Sequence, residues 1–379
     1  MIVRHFLHWV RTAQVGERAD ATSALARAFL YSDLTPDDRI AAEGAMVMLL
    51  DDPSPLVRRA LAEALAASPE APPAVILALS SDQPDVSSVV LERSPLLLDA
   101  DLVDAIGAGA SAVQAAVARR AAVPRAIAAA LAEVGSAEAC LTLIENPGAE
   151  IAPFSIDRIV ERHGHLAAIR ESLLTRADLP AATRHALVLK LSATLAGFVV
   201  ARAWLDEMRA ERIAREACEK ATVTLAAVSG SGEVRPLVRH LCASGQMTAG
   251  LVLRALLSGN VLFFEEALAE LCGLPVARVA ALLHDRRGAG LKAVYERAGL
   301  PAAIYPAFRA ALEAMHDDGH LAEPGGATRL KRRMVEHVLT SCAEIPPGEV
   351  EPLVTLLRRY ATEAAREEAR MFCDELVAA

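Results

Sequence analysis

Apolar positions recur at helical spacing along nearly the whole chain. In "LLDDPSPLVRRALAEALAASP" (Leu49–Pro69), Val57, Ala60, Leu61, Ala64 and Leu65 fall at i, i+3, i+4, i+7 and i+8, one face of a helix. Arg58, Arg59 and Glu63 lie off that face. Upstream, Thr35-Pro36-Asp37-Asp38 offers an N-cap, a proline at the first helical position and acids in the first turn. A helix is predicted from there to about Leu50. Asp52-Pro53 closes it, and Ser54-Pro55 restarts the next with serine as cap. The pattern predicts an antiparallel helix pair with a tight proline corner.

The unit then repeats. "LSSDQPDVSSVVLE" (Leu79–Glu92) restates it, with Leu49 and Leu79, and Asp52 and Asp82, each 30 residues apart. "LIENPGAEIA" (Leu143–Ala152) restates the corner with Asn146-Pro147 in place of Asp52-Pro53. Ser111–Arg120 followed by Pro124–Val134 reads as a degenerate copy between them. A helical period of about 30–47 residues is the mark of a solenoid of stacked helix pairs.

After Pro180 the organisation changes. No proline occurs from Ala181 to Arg235. Leu187, Leu191, Leu195, Phe198 and Val199 form a helical stripe, and the charged stretch Arg202–Lys220 surrounds Leu205, Met208 and Ile213. One long helix or two are predicted, bent near Gly197. "SGSGE" (Ser229–Glu233) reads as a flexible stop. Short helices are predicted around Pro236–Ala243, Thr248–Leu257, Val261–Leu271, Val276–Leu283, Leu291–Ala298 and Ala302–Met315. A loop at Glu323–Arg329 precedes two last helices, roughly Arg329–Ala343 and Glu349–Val377. The fold class expected is all-α: a HEAT-like solenoid over 1–180, then a helical bundle or continued superhelix over 181–379.

Composition agrees with helix and narrows the function. Apolar residues make up 53% of the 379 positions but aromatics only 4%, so much of the apolar share is alanine, the best helix former. Residues 1–180 carry 15 Lys+Arg against 24 Asp+Glu, and 181–379 carry 24 of each. The acidic first half argues against nucleic-acid binding there, because phosphate needs a basic face. The six cysteines contain no CxxC pair and read as small buried side chains in a reducing compartment. No uncharged run reaches the roughly 18 residues that span a bilayer, and "MIVRHFLHWV" is too short and polar for a signal peptide. The expectation is a cytoplasmic protein without membrane contact.

The corner Asp followed by Val-Arg and an Ala/Leu helix resembles HEAT-type repeats. In that family the corner Asp and the Arg often form a ladder between neighbouring repeats. Here the match is Asp52 with Val57-Arg58; the second copy keeps Asp82 and Val86 but has Ser87 in place of the arginine, and the third has Asn146. The resemblance therefore implies the helix-pair architecture rather than a full ladder. The same copies, with "TRADLP" (Thr175–Pro180), "RALLSGNVLFFEEALAELCGLPVARV" (Arg254–Val279) and "YERAGLP" (Tyr295–Pro301), are similar to the bacterial family called domain of unknown function 2336. That likeness implies no established reaction.

Candidate chemistry is sparse. His284-Asp285 and His316-Asp317-Asp318-Gly319-His320, with His240 or His163, could suggest a metal-dependent hydrolase, which needs ligands converging from several helices. His284 and His316 each end an apolar run, where a cation suits the helix dipole, so helix termini are the expected role. His5 and His8 share a face without a third ligand nearby. Gly107/Gly109/Ala112 and Gly288/Gly290/Ala293 match G-x-G-x-x-A, but neither follows a strand as a dinucleotide site requires. Ser229 and Ser231 lie in a glycine linker rather than a nucleophile elbow.

The sharpest rival reading is a DNA-binding regulator with a helix-turn-helix at 268–283. Ala269, Gly273 and Val279 would supply its small, turn and buried positions. Arg278 would face bases, and Arg286, Arg287 and Lys292 would hold phosphates. Its reading face is poor in polar side chains. "RLKRRMVEHV" (Arg329–Val338) is the densest basic run. The expectation is a non-enzymatic interaction scaffold or regulatory adaptor, without cofactor or metal, binding an unidentified protein partner or a second copy of itself. Arg58, Arg59, Arg329, Lys331, Arg332 and Arg333 are its candidate contacts.

Overall fold

In a computed structural model of the chain, residues 9–10, 12–176, 178–284, 289–317, 334–340 and 351–378 are described. These residues are nearly all helical and form no strand, only an isolated parallel bridge between Val123 and Ala149. The chain divides into two compact units, residues 1–177 and 178–379.

The first unit contains α1 (Val15–Tyr31), α2 (Pro36–Leu49), α3 (Pro55–Leu65), α4 (Pro73–Ser80), α5 (Pro84–Arg93) and α6 (Asp99–Ala108). It continues with α7 (Ser111–Ala118), α8 (Arg125–Val134), α9 (Ala137–Glu145), α10 (Pro153–His163) and α11 (Ala167–Leu174). The odd-numbered helices α1 to α11 stack in succession as one layer. On the other side α6, α8 and α10 stack likewise. This is a HEAT-like α-solenoid. Its core is aliphatic: Val57, Leu61, Leu65, Ile76, Leu79, Val90, Ile106, Ile127 and Leu131 are all buried.

The corners form as their chemistry requires, with one difference. Thr35 caps α2 by accepting the Asp38 amide, and Pro36 opens the helix. Ser54 makes no side-chain cap on α3. Instead its amide donates to Asp52 Oδ1 at 2.8 Å, so the aspartate fixes the turn from two residues upstream. Asn146 repeats that role, accepting the Gly148 amide at 2.8 Å.

The ladder has two charged rungs. Arg18 grips Asp52 through Nε and Nη2, both at 2.9 Å. Arg58 grips Asp82 at 2.6 and 2.9 Å and also donates to the Asp52 carbonyl. Beyond Ser87 carbonyls take over as acceptors: Arg120 donates to Leu91 and Ser94, and Arg162 to Ala132 and Gly135. Arg18 lies outside the repeats recognised from sequence, yet it supplies the first rung.

The second unit opens with two long antiparallel helices, α12 (Ala181–Ala201) and α13 (Glu207–Val228). The break is not at Gly197, which sits inside α12, but at Arg202–Asp206, where Ala203 takes a left-handed φ of 54°. α14 (Ser231–Ala243) starts before the predicted Pro236, which it carries inside the helix. There follow α15 (Ala249–Leu257), α16 (Val261–Cys272), α17 (Val276–Leu283), α18 (Ala289–Arg297), a 3-10 turn (Ala302–Ile304) and α19 (Tyr305–Asp317). Residues 334–340 form α20, and α21 is Glu351–Ala378. Thr248 and Asn260 cap α15 and α16 by accepting the Leu251 and Phe263 amides. This unit's core is aromatic as well as aliphatic: Phe263, Phe264, Tyr295, Phe308 and Tyr360 are buried.

Candidate interaction surfaces

Among the described residues, the sequence-predicted site residues do not converge. Arg58 is spent on the ladder, so its guanidinium serves the architecture. Arg59 is exposed and pairs with Glu63 one turn on, at 2.8 Å. Arg329, Lys331, Arg332 and Arg333 lie outside the described residues, as do Arg286, Arg287, His5, His8, Asp285, Asp318 and His320. His284 ends α17, its Nδ1 donating to the Ala280 carbonyl at 2.8 Å. Among the described residues no group of three or more His, Cys, Asp or Glu is placed to hold a metal ion. Gly290 serves close packing: a Cβ there would sit 2.1 Å from the Leu282 carbonyl oxygen. Cys140, Cys218 and Cys272 are buried, and burial pushes the Cys140 thiol up to about 11.

The 268–283 segment does form a helix–turn–helix. Gly273 adopts the left-handed φ of 66°, while Ala269 and Val279 are buried. The outward face of α17 nevertheless offers Ala277, Arg278 and Ala281, hence one cation. Lys292 pairs with Glu296 at 3.8 Å. Glu266 and Glu270 of α16 line the same hollow as Val276 at the start of α17. These carboxylates are matched by Arg235 and Arg239, at 4.0 and 3.5 Å, so the hollow presents no excess of cations to a phosphate backbone.

An exposed apolar surface lies elsewhere, on the α12–α13 arm. Of the α12 stripe only Leu187 is buried; Leu195 is 54% and Phe198 45% exposed. Across the turn Trp204 is 63% and Met208 82% exposed, and Ile213 is exposed too. The tip has a defined shape. Phe198 and Trp204 meet edge to face at 5.8 Å, and the Arg202 guanidinium lies 4.2 Å from the Phe198 ring centre. An exposed apolar patch with aromatics and a stacked arginine has the composition of an interaction surface. Helix α12 is also long and apolar enough to cross a membrane by length and composition, although it carries Arg184, His185 and Lys190. The sequence shows the stripe but not its exposure, because periodicity does not tell which face finds a neighbour.

At its base the arm encloses polar groups. A cavity of about 470 Å³ is lined by His185, Cys218, Glu219 and Thr222, among others. His185 is buried and meets His240 edge to face at 5.5 Å. Burial, and then the neighbouring His240, lower its pKa to about 4. Nearby, Arg254 is buried against the Tyr360 ring at 4.1 Å and donates to Glu363 at 2.7 Å. Lys220 reaches Glu363 Oε1 at 3.0 Å as an ion pair without an aligned hydrogen bond. Burial opposes ionisation of Glu363, but Arg254 and Lys220 outweigh it and hold the carboxyl below its usual range. Burial pushes Glu219 up, offset in part by Arg254.

The sequence profile of a bacterial family, described as "uncharacterised protein conserved in bacteria (DUF2336)", matches residues 86–347. No match is found among curated proteins or among solved structures. The matched stretch runs from α5 through the arm and α12–α20, well over half of the chain, and the protein therefore belongs to the DUF2336 family.

Proposed function

We propose that this protein is a non-enzymatic interaction scaffold of the cytoplasm, and that it engages a protein partner through the tip of the α12–α13 arm. The observation that carries this reading is the exposed apolar set Leu195, Phe198, Trp204 and Met208 on two helices that pack against each other. Such a surface is costly to leave in water and gains by being covered. The solenoid supports the reading through its repetitive architecture, which serves binding more often than catalysis.

The test is affinity capture and size-exclusion chromatography of the full chain beside Leu195→Asp/Phe198→Asp. The scaffold reading expects a reproducible protein partner, or a second copy, that the double variant loses while remaining helical. Association with lipid vesicles but no protein would overturn it in favour of a membrane-surface role for α12. Salt-sensitive binding to duplex DNA that requires Arg278 would overturn it in favour of a regulator.

A further inference from the structure

A groove of about 640 Å³ runs between α13 and α21. Its lining includes six cations, Lys220, Arg254, Arg358, Arg359, Arg366 and Arg370, against two carboxylates, Glu216 and Glu363. The two carboxylates are already used: Glu363 by Arg254 and Lys220, Glu216 by Arg359. Arg358, Arg366 and Arg370 are exposed and have no ion-pair partner among the described residues.

We propose that this groove binds an acidic peptide segment of a partner protein, with Arg366 and Arg370 as its main anchors. The inference deepens the scaffold reading and rests on it, since it names the chemistry of a partner. Unpaired guanidinium groups on one side of a groove form a site for carboxylates, which they meet in paired hydrogen bonds. The spacing selects an extended ligand. Arg366 and Arg370 stand one helical turn apart, about 6 Å along the axis. Alternate side chains of an extended peptide project to one side about 6.8 Å apart. Acidic residues at i and i+2 therefore meet both guanidinium groups. Arg358 lies about 12 Å from Arg366 along the same helix, so the free cations form a row rather than a cradle around one phosphate. Among the described residues that line the groove the one aromatic, Tyr360, is buried beneath Arg254 and offers no face for base stacking, so single-stranded nucleic acid is disfavoured. Arg254, buried against Tyr360 and paired with Glu363, gives the groove a fixed floor beneath the free arginines.

The test is fluorescence anisotropy of the full chain with a labelled peptide of alternating Glu and Ser, and a Lys/Ser peptide as control. The wild type binds the acidic peptide, more weakly as salt rises, and does not bind the basic one. Arg366→Glu/Arg370→Glu weakens binding by about tenfold or more, whereas Arg366→Lys/Arg370→Lys, which keeps charge but not the paired hydrogen bonds, falls between. Both variants keep the wild-type helical melt, since the altered side chains are exposed and unpaired. The proposal is overturned if the wild type ignores the acidic peptide, if the Glu variant binds it equally well, or if inorganic tripolyphosphate binds more tightly than the peptide. Loss of peptide binding with arm-dependent capture retained removes the groove assignment alone; loss of both removes the scaffold reading as well.

Discussion

The two units spend their side chains differently. In the first, each helix pair is covered by the next, and four arginines off its apolar face are consumed within the stack. Arg18 and Arg58 take the next corner's aspartate, and Arg120 and Arg162 take backbone carbonyls. In the second, a compact aromatic core coexists with an apolar arm tip and a row of arginines for which the described residues supply neither cover nor ion-pair partner. Repetition satisfies the charges at its corners, while single apolar side chains such as Tyr31, Ile40 and Phe154 stay exposed on it. The proposed contacts fall in the second unit, where the aromatic tip and the free arginines lie, although the first carries the recognisable repeat.

That contrast can be broken at its cores first. Phe264 is buried and stacks near Phe308 at 6.1 Å. Phe264→Ala is expected to destabilise the second unit by about 3–5 kcal/mol, read from denaturant melts. An effect below about 1 kcal/mol would mean that the aromatic core does not hold that unit.

A pH effect of similar size belongs to the base of the arm. Folded His185 stays neutral down to about pH 4, while the unfolded side chain takes up a proton near 6.5. The unfolded state thus binds more protons between these values, so this contribution is intact above pH 6.5 and is lost progressively on acidification towards 4. The loss amounts to about 3 kcal/mol. His185→Leu should flatten the difference in stability between pH 7 and pH 4.5. An unchanged slope would show that a group other than His185 controls it.

The ladder gives a smaller effect. Arg58→Ala should destabilise the first unit by about 1–2 kcal/mol, because it leaves Asp82 without its bidentate partner. Arg58 also holds the Asp82 carboxyl below its ordinary range, so that stability is present above the usual aspartate pKa and fades as pH falls through the lowered one. Arg59→Ala, one residue away on the exposed face, should change stability by no more than about 0.5 kcal/mol. Equal effects from the two would deny the ladder its structural role.

What the sequence made legible follows the same division. The corners at Asp52, Asp82 and Asn146 carry strong local chemistry, proline and a side-chain acceptor, and their helices lie close to the predicted bounds. Val276–Leu283 was legible for the same reason, with Gly273 and Pro275 fixing its start. The arm was half legible. Its apolar stripe was visible, but Gly197 drew the break to the wrong place because a lone glycine is tolerated inside a long helix, whereas the chain turns at Ala203. Exposure of Leu195 and Phe198 depends on the absence of a neighbour, which no local pattern encodes. The groove was illegible because Lys220 and Arg254 lie more than a hundred residues before Arg366 and Arg370 in the chain. The densest basic run, Arg329–Arg333, lies outside the described residues.

The most direct test of this contrast is site-specific photocrosslinking in living cells. A benzophenone side chain would replace Leu195 on the arm in one strain and Arg59 on the solenoid in another. The account predicts a discrete crosslinked polypeptide or dimer from position 195, abolished by Phe198→Asp, and none from position 59. Crosslinks from position 59 alone, or only to lipid from position 195, would contradict it.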